Sequence, residues 1–243
     1  PAAYFAGAAA TAEAVEQVRR TLGLDRPLLV QLWDYVADLV RGDLGVSLTT
    51  GQPVTQELLT RLPASAELTL LGLALAIAVA LPLGVLAALH RDTWIDQLCR
   101  VLATAGVSLP TFFTGLLLVY VFYYLLGWAP APLGRLDIFA APPQHVTGFY
   151  LVDSLLARDL EAFRASLAAL ALPAATLAIF ALAPIARMTR ASMLAVLGSD
   201  FVRTARASGL AETRVVMVYA LKNALLPVVT TMGMVFSFLL GAN

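Results

Sequence analysis

The residues able to do chemistry are few, and their spacing excludes more than it permits. Lys222 is the only lysine in the chain, and Asn223 follows it. A nucleotide-binding P-loop needs a glycine-rich turn that ends in lysine and then serine or threonine. That order is absent, so no ATP site of this kind is expected. Cys99 is the single cysteine, and the histidines are His90 and His145 alone. Neither an internal disulfide nor a metal cluster of ordinary ligand spacing is available from that set. No Gly-x-Ser-x-Gly turn occurs, so no nucleophile elbow is expected. Catalytic, cofactor-binding and metal-ligating residues are therefore all expected to be absent. The remaining chemistry is electrostatic: Ser199–Val229 carries Arg203, Arg206, Arg214 and Lys222.

The elements that flank this basic stretch are apolar. Of 243 residues, 60% are hydrophobic, more than a soluble domain usually holds. Four runs lack any charge: Leu68–Leu89, Val101–Trp128, Ala165–Ala186 and Asn223–Asn243. Each exceeds the ~20 residues that span a bilayer, whereas a buried helix of a soluble protein rarely stays charge-free so long. An all-α, polytopic membrane bundle is the expected fold class. None of the four runs contains Asp, Glu, His, Lys or Arg, which disfavours ion coupling through these spans. Net charge is zero, so no nucleic-acid partner is expected.

Orientation follows from the arginines. The segments 90–100 and 187–222 hold eight basic residues against four acidic ones, while the remainder outside the spans holds eight against twelve. Basic loops stay on the cytoplasmic side, which puts residues 1–67 and 129–164 outside. Within the first of these, Thr11–Thr21 and Pro27–Val40 have helical patterns, the second with an apolar stripe through Leu29, Leu32, Trp33, Val36, Leu39 and Val40. A short helix is expected after Pro53, and another over Asp153–Phe163. Residues 68–243 form the transmembrane domain, with spans about 68–89, 101–128, 165–186 and 223–243. Pro82, Pro110, Pro173 and Pro184 lie in spans, where each can kink a helix. The chain starts without methionine and stops at Asn243; a fragment trimmed at both ends, with one earlier span removed, is expected.

The cytoplasmic loop 187–222 has its own local order. Ser199 or Asp200 can cap a helix over Phe201–Ser208. Gly209 permits a left-handed turn, and a second helix runs from about Ala211. Phe201, Val202 and Ala205 are expected to face a partner groove, and Arg203 and Arg206, three apart, share a face. On spacing alone, a docking helix and a solvated topology signal remain equally open. The second reading belongs to a passive channel or scaffold membrane protein.

The residue order resolves that choice by resemblance. D-F-V-R-T-A-R-A-S-G-L at 200–210 and A-L-K-N-A-L-L-P-V-V at 220–229 resemble the cytoplasmic loop of binding-protein-dependent ABC transporter permeases, most of all the oligopeptide/dipeptide/nickel branch. L-G-L-D-R-P at 22–27, G-D-L-G-V-S at 42–47, R-L-P-A-S at 61–65, P-L-G at 82–84, S-L-P-T-F at 108–112, G-W-A-P-A at 127–131 and R-M-T-R-A-S-M-L at 187–194 are similar to that branch in the same order. The resemblance implies the type I importer permease fold and a loop whose short coupling helix docks into an ATPase. Arg203-Thr204-Ala205 stand at the Glu-Ala-Ala of the family's EAA motif. Gly209 stands at its glycine. The implied coupling residues are Asp200, Phe201, Arg203, Thr204, Ala205, Arg206, Gly209 and Leu210. Lys222 stands where the general motif has proline, Pro227 fits the later proline, and Tyr219 replaces an expected histidine.

The implied partners are a second permease subunit, as a homologous heterodimer, two ATP-binding cassette ATPases, an extracytoplasmic solute-binding protein and membrane lipid. The implied location is a bacterial or archaeal cell membrane, and the implied cargo a peptide or related small solute moved by alternating access. Relative to the six spans of the family, the first span, the end of the fifth and the sixth are missing, as is the G-G…E…F…P-G segment. The outer loop around Ile138–Arg164 is longer than usual.

Overall fold

The computed structural model describes residues 11–242 apart from 22, 48 and 137–140. Expectations that fall on residues 1–10, on 137–140 of the outer loop and on Asn243 lie outside the described residues. The chain divides into two compact units, Pro1–Leu62 and Pro63–Asn243.

The first unit contains α1 (Ala12–Thr21) and α2 (Leu28–Val40), then the first turns of α3 (Val54–Leu89). In α1, Glu13 lies in the first turn and Arg19 and Arg20 in the last, the arrangement that suits the helix dipole. Gly23 closes it with φ +63°. Pro27 precedes α2, as its fixed φ favours. Between α2 and α3, Val46 and Pro53 form an isolated antiparallel bridge.

The second unit is a helical bundle, and among its described residues no strand occurs. α3 continues to Leu89. It is followed by α4 (Trp94–Ser108), α5 (Thr111–Leu118) with a π-helical extension over Val119–Leu125, α6 (Tyr150–Leu156), α7 (Leu160–Leu197), α8 (Asp200–Ala207) and α9 (Glu212–Arg214). A π-helical stretch over Val215–Ala220 joins α9 to α10 (Leu221–Ala242). Among the described residues three helices, Val54–Leu89, Leu160–Leu197 and Glu212–Gly241, are long and apolar enough to cross a membrane. A fourth crossing arises if α4 and α5 with its extension form one span, bent by 98°.

These helices outrun the charge-free stretches. The short helix expected after Pro53 is the start of α3, which carries Pro63 and Pro82 internally. α7 carries Pro173 and Pro184 and reaches Leu197. The uncharged run 101–128, by contrast, is interrupted: Leu109 and Pro110 are extended, with ψ 144° and 139°. A proline disfavours helical geometry in the residue before it, so α4 ends there.

Close packing rests on small residues, as in membrane bundles generally. A Cβ on Gly72 would lie 2.9 Å from Leu177 Cβ, and one on Gly84 would lie 2.5 Å from Thr189 Cβ. Both contacts keep the same sequence offset, so α3 and α7 run parallel. A Cβ on Gly106 would lie 2.7 Å from the Ile179 carbonyl oxygen. Asp96 meets Arg190, so α4 runs antiparallel to α7. Phe180 stacks on Phe238 of α10 at 5.2 Å. Ala76, Ala80, Ala181, Ala183, Ile185, Val228 and Leu239 form the core between these helices.

Candidate functional site

The basic hairpin lies at one end of the second unit. Only Gly198 and Ser199 separate α7 from α8. Ser199 occupies the cap position with extended backbone, but its hydroxyl donates to the Val196 carbonyl instead of capping α8. α8 has one apolar face. Val202 (0% exposed) and Ala205 (6%) pack with the buried Val215, against Val196, Leu197, Leu210 and Tyr219. The helix is therefore clamped between the last turn of α7 and the π-helical stretch that leads into α10.

That packing corrects one expectation. Val202 and Ala205 face the protein's own interior and not a partner groove, because Val215 offers the nearest apolar surface. Phe201 stays 45% exposed, and Asp200, Arg203, Thr204 and Arg206 surround it on the outward side of the helix. All four are exposed. The outward face of α8 is thus a mixed one: one aromatic ring amid charged and polar groups. Leu210 is half-buried.

The turn after α8 is held electrostatically. Gly209 has φ +75°, and nothing lies within 4 Å of where its Cβ would stand. Its requirement for glycine is conformational, not one of space. Arg206 forks onto Glu212 across this turn, with Nη2 to Oε1 at 2.6 Å and Nε to Oε2 at 3.1 Å. The hydrogen bonds raise the Arg206 pKa and lower that of Glu212. Both side chains are solvent-exposed, so the pair adds little to stability and acts mainly to fix the turn. Arg203 pairs with Asp200 one turn earlier.

A second group of charges lies close to this end, and counting charges along the sequence does not reveal it. Asp96 is fully buried and takes Nε and Nη2 of Arg190 at 2.7 and 2.6 Å. Arg100 Nε approaches the same carboxylate at 3.6 Å, and the Asp92 amide donates to it at 3.2 Å. The one signal for it in the sequence is Arg190, which projects from an apolar helix with no acid one turn away.

The opposite end of the bundle is closed by other charges. Glu67 (4% exposed) accepts from the Leu151 amide at 2.7 Å and from Arg135 Nη2 at 2.6 Å. Arg135 also lies over the Tyr150 ring, 3.6 Å from its centre. Asp153 accepts from the Thr147 amide and hydroxyl at 2.8 and 2.7 Å, and from the Gly148 and Val146 amides at 2.9 and 3.2 Å. Burial pushes its pKa up, but those donors outweigh burial and hold it at about 2. His90 and His145 are both exposed. Among the described residues no cluster of metal-ligating groups occurs.

With this geometry in place, the comparisons with known proteins are specific. Residues 80–242 match the model of the family described as binding-protein-dependent transport system inner membrane component. Residues 1–69 match the N-terminal model of the same systems. The chain is 47% identical over 240 residues to the probable D,D-dipeptide transport system permease protein of Escherichia coli (strain K12), covering 99% of this chain and 70% of that protein. It is 47% identical over 214 residues to the di/tripeptide transport system permease protein of Pseudomonas aeruginosa (strain UCBPP-PA14), covering 88% of this chain and 63% of that one. The glutathione transport system permease protein of Escherichia coli (strain K12) is 38% identical over 243 residues, with 100% and 70% covered. The chain thus spans about two thirds of the length of these relatives.

Proposed function

We propose a function whose premise is descent: the chain belongs to the family of binding-protein-dependent transport system inner membrane components. It is a multi-pass membrane permease of an ABC importer, not a member of an enzyme family. Its cargo is a peptide or a related small solute, moved by alternating access. ATP is bound and split on two separate ATPase subunits. A second permease completes the pathway, and a solute-binding protein delivers cargo from outside. The membrane is the bacterial inner membrane, with α8 on the cytoplasmic side and α6 outside.

One observation carries the reading most. α8 is a short helix buried on one face in the bundle and exposed on the other through Phe201, Arg203, Thr204 and Arg206. A merely solvated loop has no need of an apolar clamp at Val202 and Ala205. A rigid knob that must move spans does. Asp200, Phe201, Arg203, Thr204 and Arg206 form the contact. Ala205, Gly209 and Leu210 set the shape of the hairpin behind it. The names of these three relatives, which are peptide or glutathione systems, support the cargo class.

The test is reconstitution in proteoliposomes with the partner permease, the ATPase pair and the binding protein, using labelled dialanine and labelled glutathione. ATP-dependent uptake of either, absent without the binding protein, is expected. Flux of these probes through the chain without ATP would mark a passive channel and contradict the proposal.

A further inference from the structure

We infer that Asp96 and Arg190 are the positioning pair that makes α4 follow α7 when α8 is moved, an inference that rests on the docking role proposed for α8. Connectivity shows why such a pair is needed. α8 is joined to α7 by two residues, and its buried side chains pack on Val196 and Leu197 of the last turn of α7. A force on α8 therefore reaches α7 directly. α4 has no such link. The chain leaves α3 at Leu89, turns through residues 90–93 and enters α4 at Trp94.

Asp96 supplies the missing connection. It sits in the first turn of α4, and Arg190 lies seven residues before the end of α7, about two turns and ~10 Å along the axis. The guanidinium meets both carboxylate oxygens, at 2.7 and 2.6 Å. Such a fork fixes direction as well as distance. The same carboxylate accepts from the Asp92 amide, whose residue is held at φ +60°. Arg100, one turn on, closes the cluster. The preceding loop, the start of α4 and the end of α7 are thus locked on one buried charge. Farther along, the two helices meet by close packing without a directional side-chain bond, as at Gly106, where a Cβ would lie 2.7 Å from the Ile179 carbonyl oxygen. A buried ion pair seldom stabilises more than apolar residues of equal volume would, so stability alone does not account for a fully buried aspartate here. Directional linkage does.

The experiment uses the complex assembled with its partner permease and ATPase pair. Spin labels are placed on exposed positions by Val101→Cys and Ala191→Cys, with Cys99→Ala, and the inter-label distance is read without nucleotide and with ATP trapped. With Arg190 intact, one unchanged distance is expected in both states. In Arg190→Lys, which keeps the charge but loses the fork, the ATPase pair still co-purifies, and the trapped state shifts or broadens by at least ~3 Å, two residues of helical rise. Asp96→Asn gives the same result. An Arg190→Lys complex with the same distance in both states overturns the inference, as does a distance that changes while Arg190 is intact. Variants that both fail to assemble reduce the pair to a structural brace and overturn it too. Failure of the ATPase pair to co-purify with the unmodified permease contradicts the docking role itself and is distinct from each of these.

Discussion

At the scale of single residues, two positions have consequences that can be measured. Gly209 holds φ +75° in open space. A β-branched residue there is strained by its backbone alone, at roughly 1–2 kcal/mol. Gly209→Val is expected to leave membrane insertion intact and to abolish transport, because the hairpin must rearrange; dialanine uptake beside an immunoblot of membranes checks both. Asp153 gives a pH dependence. Its pKa is about 2 in the folded chain, against ~3.9 unfolded. The shift is downward, so its contribution is complete above the unfolded value and is lost as pH falls through about 2. That contribution is about 2–3 kcal/mol for a carboxylate buried as this one is. Proteolysis of the 141–149 loop is expected to be slow and constant down to pH ~4, then faster towards pH ~2, and Asp153→Asn should show the fast rate throughout. The left-handed Gly209 was legible in the sequence, since a glycine between two helical patterns has few other uses. The inward turn of Val202 and Ala205 was not, because nothing local reveals that Val215, beyond the turn, supplies their apolar partner.

At the scale of elements, α7 is the axis of the second unit, and the parallel pair α3–α7 depends on two glycines. A Cβ on Gly84 would stand 2.5 Å from Thr189 Cβ and 2.8 Å from the Ala186 carbonyl oxygen, which is backbone and cannot step aside. Overpacking of this kind costs about 1–3 kcal/mol. Gly84→Ala is therefore expected to lower the thermal midpoint of the purified permease by several degrees. Gly115→Ala is expected to be neutral, since its nearest contact would be an ordinary 3.5 Å. An equal effect of the two would show that the approach of α3 to α7 is not limiting. The existence of these helices was legible from uncharged runs. Their ends were not, because a charge within a helix looks in the sequence like a boundary. Glu67 and Arg190 both lie inside helices, each neutralised by a partner far away in sequence, Arg135 and Asp96. The break at Leu109–Pro110 was half legible: a proline announces a bend, but its size is set by packing.

At the scale of the whole molecule, the proposed function makes the chain a multi-pass permease that transmits movement from partner ATPases to its spans. Its proposed orientation, with α8 in the cytoplasm, rests on the excess of arginines in the segments 90–100 and 187–222. Asp153 is a poor position for reporting sidedness, since it is buried; Leu156, which is 60% exposed, is a better one. Leu156→Cys is expected to react with an impermeant thiol reagent in intact cells, whereas Arg91→Cys should react only after permeabilisation. The reverse pattern would invert the topology and remove α8 from the cytoplasm.

The central claim is that the outer face of α8 is the contact with an ATPase. The most direct measurement is a disulfide or short-linker crosslink from Thr204→Cys, which is exposed in the middle of α8, to the ATPase subunit of the assembled complex. Val202→Cys, fully buried, serves as the negative control. A crosslink from position 204, absent from position 202, is the expected result. No crosslink from 204 in a complex that is otherwise assembled and hydrolysing ATP would contradict that claim.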